Sequence, residues 1–241
     1  MGLRALLFDL GGTLTRRDIE DRVIDEAALR SLMHYLTSRG IKISEQDLLT
    51  SYWAHYNTIH DLRERFMIEI PMSVWLGTFV YRLFPKNASD ILKIVEARIV
   101  DSRVRSAIPF AETINVLEEL QSKYLLGIVT NTSSDEVAQK ILRSLKLNKF
   151  LECVITSAEF GVRKPYPGIF LYALRKICAR AEDAIFVGDS LTHDIMGAKK
   201  SHIMSCLINH EGTKPSCKST QPDLIVENLA ELPMALESIS L

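Results

Sequence analysis

The chain has 241 residues, 47% of them hydrophobic and 24% charged, an ordinary globular composition with room for a sizeable core in one or two domains. Lys plus Arg total 29 against 30 for Asp plus Glu, a net charge of −1, so no overall field draws the chain to nucleic acid or to an anionic membrane. No apolar stretch is long enough to span a bilayer, and charged residues begin at Arg4, where a signal peptide would need an apolar run.

The first element is a short apolar run, Ala5 to Phe8, that ends at Asp9 and is followed by Leu10-Gly11-Gly12-Thr13-Leu14. It reads as a buried strand delivering a carboxylate to its carboxyl end, the edge at which open α/β sheets bind ligands. From Arg16 to Arg105 the periodicity is helical. Ile24, Ala27, Ala28, Leu32 and Leu36 recur at helical spacing and Gly40 is a natural stop. Ser44 with Asp47 caps a helix through Ser51 to His60. Pro71 precedes a helix over Val74 to Leu83, and Asn87 or Ser89 caps one running to Arg103. After Pro109 the texture alternates. Helices are expected over Ala111–Lys123, Ser134–Lys146, Gly168–Cys178, Thr192–His202 and from Glu227 onward. Strands are expected over Leu125–Thr130, Cys153–Thr156, Ala184–Val187, Met204–Ile208 and Leu224–Val226, with a surface loop over Glu211–Gln221. Alternating βα units imply a parallel sheet covered on both faces, interrupted after its first strand by the helical stretch. Cys153, Cys178, Cys206 and Cys217 show no metal-pair spacing and read as reduced thiols. The expectation is a cytoplasmic protein with no nucleic-acid or membrane partner, its oligomeric state left open.

Four strand ends carry polar groups: Asp9; Thr130-Asn131-Thr132; Gly161-Val162-Arg163-Lys164-Pro165; and Gly188-Asp189-Ser190, with Asp194 further on. Each alone has an ordinary reading as a turn, a helix cap or a solvated loop charge. In order, and each at a strand end, they place carboxylates, a hydroxyl and an ammonium in one crevice. Clustered carboxylates need compensation, which Lys164 and a divalent cation supply. Carboxylates with waters and phosphate oxygens suit Mg²⁺. A carboxylate nucleophile, a metal, a hydroxyl and a lysine together attack phosphorus: Asp9 forms an aspartyl-phosphate and the cationic groups stabilise the transferring phosphoryl oxygens.

These segments resemble the motifs of the haloacid dehalogenase superfamily, most of whose members are phosphatases. Asp9-Leu10-Gly11-Gly12-Thr13-Leu14 is similar to the first motif, whose leading Asp is the nucleophile; Thr130 matches the second, Lys164 the third, and Gly188-Asp189-Ser190-Leu191-Thr192-His193-Asp194 the fourth, with its acidic metal ligands. The resemblance implies a Rossmann-like, three-layer α/β core over residues 1–15 and 106–241 with an all-helical cap over 16–105. It implies Asp9, Thr130 and Lys164 as catalytic residues and Thr130, Asn131 and Lys164 as substrate-binding ones. It also implies Mg²⁺ held by Asp9, the Gly11 carbonyl, Asp189 and Asp194, and a small phosphorylated metabolite as substrate.

The departure is Gly11, where most phosphatases of the family carry an Asp that protonates the leaving group and then activates water. Loss of a general acid costs about 10²–10⁴ in rate. Three readings follow: a phosphatase whose substrate has a good leaving group or whose cap supplies the proton, with Asp18, Asp21, His55 and His60 as donors; a haloacid dehalogenase-like hydrolase, against which the metal-binding form of the fourth motif argues; and a catalytically weak phosphate-binding or regulatory module. A response-regulator receiver shares the Asp, Thr and Lys logic but not the long helical insert. Tyr52, Tyr56 and His60 share a helical face, either as packing inside the insert or as a wall facing substrate. Arg16 and Arg17 are placed to meet a substrate anion or to form a solvated linker. Hinges, if the cap moves, fall near Thr15–Asp18 and Ser106–Phe110.

Overall fold

A computed structural model describes residues 2–210 and 221–239. The loop expected over Glu211–Gln221 lies outside these except for Gln221, and so does Cys217. In chain order the first strand β1 (Ala5–Phe8) leads to a two-residue strand β2 (Thr15–Arg16) and then to four helices, α1 (Asp21–Ser38), α2 (Glu45–Phe66), α3 (Met72–Leu83) and α4 (Ala88–Ser106). The chain returns through β3 (Ile108–Pro109) and alternates α5 (Thr113–Leu120), β4 (Leu125–Thr130), α6 (Asp135–Ser144), β5 (Cys153–Thr156), α7 (Ser157–Phe160), α8 (Pro167–Lys176), β6 (Ala184–Gly188), α9 (Met196–Lys200), β7 (Met204–Ile208), β8 (Leu224–Val226) and α10 (Leu232–Ile239).

Local chemistry accounts for many of these boundaries. Ser44 opens α2 by accepting from the Asp47 N–H, Ser134 opens α6 by accepting from Val137, and Pro167 occupies the first turn of α8, where a missing N–H costs nothing. α2 runs past the expected His60 to Phe66; its last turns carry Arg63 and Arg65, cations that favour a helix C-terminus. The helix expected over Thr192–His202 begins instead as a π-type turn over Leu191–Ile195 before α9. The helix expected over Ala111–Lys123 is trimmed to α5, with turns on either side.

β1, β4, β5, β6, β7 and β8 form one parallel sheet in the spatial order β5-β4-β1-β6-β7-β8. Alternate residues of β1 serve opposite faces. Leu6 and Phe8 join the core made with α5, α6, α10 and the apolar sides of the four inserted helices, whereas Ala5 and Leu7 pack with Phe170 and Leu174 of α8 and Ala198 of α9. The molecule is therefore a three-layer, Rossmann-like α/β core with a helical insert. α4 packs on α1, α3 and α6, which joins the insert to the core. β2 and β3 pair antiparallel, Thr15 opposite Pro109, where the chain leaves and re-enters the core. The segments expected as hinges coincide with this ribbon. Among the described residues no helix is long and apolar enough to cross a membrane.

The order of strands positions the site. From β1 the chain runs out to β4 and β5 on one side, then crosses back to β6 on the other. The carboxyl end of β1 is thus a topological switch point, where neighbouring connections diverge and leave a crevice.

Candidate active site

Asp9 emerges at that crevice, its N–H donating to the Val187 carbonyl of β6 at 2.9 Å. Lys164, between α7 and α8, is a buried lysine whose Nζ lies 2.8 Å from Asp9 Oδ1 and 2.6 Å from Asp194 Oδ1, over the Phe186 ring. Burial works against its charge, but the Asp194 and Asp9 carboxylates outweigh it and hold the ammonium above the usual lysine pKa. Asp194 is itself held by the Ser190 N–H at 3.0 Å, and Asp189 accepts from the Thr13 hydroxyl at 3.3 Å. Oxygens of Asp9, Asp189 and Asp194 all lie within 4.8 Å of one another. Three carboxylates face one ammonium. The consequence falls on Asp189, whose carboxyl is pushed up to about 7 by loss of water around it and then by the Asp9 and Asp194 charges. Such a cluster of hard oxygen donors with excess negative charge fits a divalent cation of the Mg²⁺ type.

Thr130 ends β4, and no hydrogen bond within the described residues engages its hydroxyl. Asn131 stands beside it with both amide atoms occupied: Nδ2 donates to the Lys164 carbonyl at 3.0 Å and Oδ1 accepts from the Lys164 N–H at 2.8 Å. The side chain that the sequence reading offers to substrate therefore grips the backbone of Lys164. A cavity of about 410 Å³ lies over this side of the crevice, with Gly11, Gly12, Thr130 and Asn131 among its lining. Its lining includes five guanidinium groups, Arg16, Arg17, Arg63, Arg103 and Arg163, each paired with a carboxylate: Asp18, Asp21, Glu69, Asp25, and Glu69 with Glu64. Arg16 and Arg17 reach the cavity from the linker, and Tyr56 and His60 line it from α2.

The aromatic face of α2 thus divides. Tyr52 is buried and donates to Asp25 at 2.7 Å, whereas Tyr56 and His60 stack on each other at the cavity wall. His55 is committed elsewhere, its Nε2 lying 2.8 Å from the Trp75 carbonyl and 3.1 Å from the Thr78 hydroxyl. Asp18 pairs with Arg16 and does not line the cavity.

One cluster escaped the sequence reading. Glu69, in the connection between α2 and α3, is fully buried and receives Arg63 Nε at 2.9 Å, Arg163 at 2.5 Å and the Ser157 hydroxyl at 2.7 Å. Backbone bonds flank it, Glu69 N–H to the Gly161 carbonyl and Arg163 N–H to the Met67 carbonyl, both at 2.9 Å. Glu64 adds a second ion pair to Arg163 at 3.0 Å, and its other oxygen lies 3.2 Å from His193 Nε2. The available signal was a lone carboxylate inside the apolar run Met67-Ile68-Glu69-Ile70-Pro71.

A model of the haloacid dehalogenase-like hydrolases matches residues 3–202. The chain belongs to that family. This hydrolase is 26% identical over 239 residues to a glyceraldehyde 3-phosphate phosphatase of Methanopyrus kandleri, with 95% of each chain covered. It is 28% identical over 244 residues to a phosphoserine phosphatase of Thermus thermophilus, covering 96% of this chain and 91% of the relative. It shares its fold with the crystal structure of a 2-haloacid dehalogenase from Pseudomonas syringae at a TM-score of 0.78 and 23% identity, covering 98% and 99% of the two chains.

The two glycines after the first strand of the hydrolase are not equivalent. Gly12 has a φ of +83°, and a Cβ there would sit 2.2 Å from an Asp189 carboxylate oxygen. Gly12→Ala is expected to cost about 1–3 kcal/mol from backbone strain and to displace Asp189, read as a lowered urea midpoint. Gly11 is free of both constraints: its φ is not in the left-handed region, and a Cβ there meets nothing within 4 Å.

Proposed function

We propose that this hydrolase is a Mg²⁺-dependent phosphatase acting on a small phosphorylated metabolite through an aspartyl-phosphate at Asp9. The observation that carries the reading is Lys164 Nζ, 2.8 Å from Asp9 and 2.6 Å from Asp194 at the switch point of the sheet. The Asp9 carboxylate attacks phosphorus and the ester oxygen departs; water then attacks the aspartyl-phosphate and returns Asp9. Lys164 orients Asp9 and neutralises charge on the phosphoryl oxygens, Thr130 donates its hydroxyl to them, and Asn131 fixes Lys164 by its backbone. Asp9, Asp189, Asp194 and the Gly11 carbonyl would hold Mg²⁺, which when bound supplies charge neutralisation at the transferring phosphoryl group. Residues 16–105 act as the cap over this site. The guanidinium groups lining the cavity are each paired with a carboxylate, so the support for a small phosphorylated substrate comes from the relatives named for glyceraldehyde 3-phosphate and phosphoserine.

The test is hydrolysis of p-nitrophenyl phosphate with and without Mg²⁺. The expected result is turnover that disappears in excess chelator and returns with added Mg²⁺. Turnover unaffected by chelator would count against the metal assignment. Release of halide from 2-haloacids, with no phosphate release from any ester, would replace the phosphatase reading with the dehalogenase one.

A further inference from the structure

The phosphatase reading leaves the leaving group without a proton. Gly11 carries no carboxylate, and the space that one would occupy is open, with no atom within 4 Å of a Cβ built there. Gly11 also lines the arginine-walled cavity, which brings side chains of the insert to the same cavity. The carboxyl and imidazole groups lining it are Asp21 and His60. Asp21 is held by Arg17 at 3.0 Å. The His60 imidazole makes no hydrogen bond within the described residues; it is positioned by parallel stacking on Tyr56, the rings 6.2 Å apart and 4° from coplanar. The ring is thus oriented while both nitrogens stay available.

Resting on the phosphatase reading, we infer that His60 is the acid–base residue of the hydrolase, supplied from the helical insert in place of the carboxylate absent at Gly11. As the Asp9 carboxylate forms its bond to phosphorus and the ester P–O bond breaks, the imidazolium gives its proton to the departing oxygen and the alcohol leaves neutral. The imidazole then takes a proton from the water that attacks the aspartyl-phosphate. The P–O bond to Asp9 breaks, the Asp9 carboxylate is restored, and phosphate is released with His60 protonated for the next turn. Asp9 follows a strand of the sheet and His60 belongs to a helix of the insert, so the acid–base residue is in place only when the insert lies over the site.

The experiment compares kcat on p-nitrophenyl phosphate, whose leaving group needs no proton, with kcat on a panel of small alkyl phosphates, which need one. In His60→Ala the ratio of alkyl to aryl kcat is expected to fall by about 10²-fold, within the usual worth of a positioned acid. Adding Gly11→Asp to that variant is expected to restore the alkyl rates at least tenfold, because the fold leaves room for the carboxylate. Asp21→Asn is expected to leave the ratio unaltered, and matching thermal midpoints check that each variant is folded. The inference is overturned if the ratio is unchanged in His60→Ala, if His60→Ala raises KM alone, if the ratio collapses in Asp21→Asn instead, or if the wild type turns over aryl but no alkyl esters. If the wild type lacks any Mg²⁺-dependent aryl turnover requiring Asp9, the phosphatase reading itself fails.

Discussion

Asp9→Asn is expected to lower kcat on any phosphate ester by about 10⁴-fold or more, the scale set by removal of a nucleophile that acts as part of a unit. The amide keeps the shape of the carboxylate and cannot displace an alcohol from phosphorus. The effect on stability is expected to be small or of opposite sign. Asp9 shares one ammonium with Asp194 and stands in a cluster with Asp189, so the substitution removes one charge from three crowded carboxylates. Lys164 keeps its 2.6 Å pairing with Asp194. The raised carboxyl of Asp189 reflects its burial first and that crowding second. The midpoint of thermal unfolding without Mg²⁺ should therefore hold or rise while turnover disappears, the signature of residues arranged for chemistry rather than for folding. A variant that retains activity within tenfold of the parent would remove Asp9 from the nucleophile's role. One that loses its fold would make the cluster a structural one.

The groups at the ends of β1, β4 and β6 were legible because their signals are local; Lys164, expected at a strand end, instead follows the short helix α7 after β5. A strand of apolar residues followed by a carboxylate and glycines, or a Lys before Pro165, announces itself within a few positions, and the parallel topology collects these positions at one edge. The strands Leu125–Thr130, Cys153–Thr156, Met204–Ile208 and Leu224–Val226 were legible for a similar reason, as buried apolar runs bounded by turns. What stayed hidden depends on distance along the chain or on fine backbone geometry. The β2–β3 ribbon is too short for any periodicity and joins Thr15 to Pro109. The π-type turn over Leu191–Ile195 has the composition of an α-helix. Glu69 meets Arg63 on its own side of the insert and Arg163 far along the chain, a meeting that only the assembled fold defines. Tyr52 and Tyr56 share a helical face in sequence, yet one is buried against Asp25 and the other lines the cavity, a division set by what packs on α2.

Glu69→Ala is expected to cost about 3–5 kcal/mol, the usual penalty for removing one partner from a buried ion pair. Its carboxylate is fully buried and compensates two guanidinium groups that are themselves almost wholly enclosed, Arg63 in the insert and Arg163 beside Lys164. Burial already lowers the Arg63 pKa against the pull of Glu69, so the pairing is what keeps that charge tolerable. Without it Arg163 retains Glu64 at 3.0 Å, and Arg63 retains a bond to the Ile70 carbonyl at 2.6 Å and the face of the Trp75 ring, but no carboxylate. Glu69→Gln preserves shape and an acceptor for Ser157 but not the charge, and should fall between the two. Because Ser157 and Arg163 belong to the core and Glu69 to the insert, the substitution also loosens the tie between them. Arg63 and Arg163 line the cavity, so KM should rise along with the loss of stability. Asp25→Ala offers the contrast. It removes the partner of Arg103, with bonds of 2.9 and 2.6 Å, inside the insert. It should destabilise without loosening the contact to the core. Urea denaturation gives the free energies from midpoint and slope, and steady-state kinetics gives KM. A Glu69→Ala protein within about 1 kcal/mol of the parent, the range of a surface pair, would mean that the buried network ties nothing together.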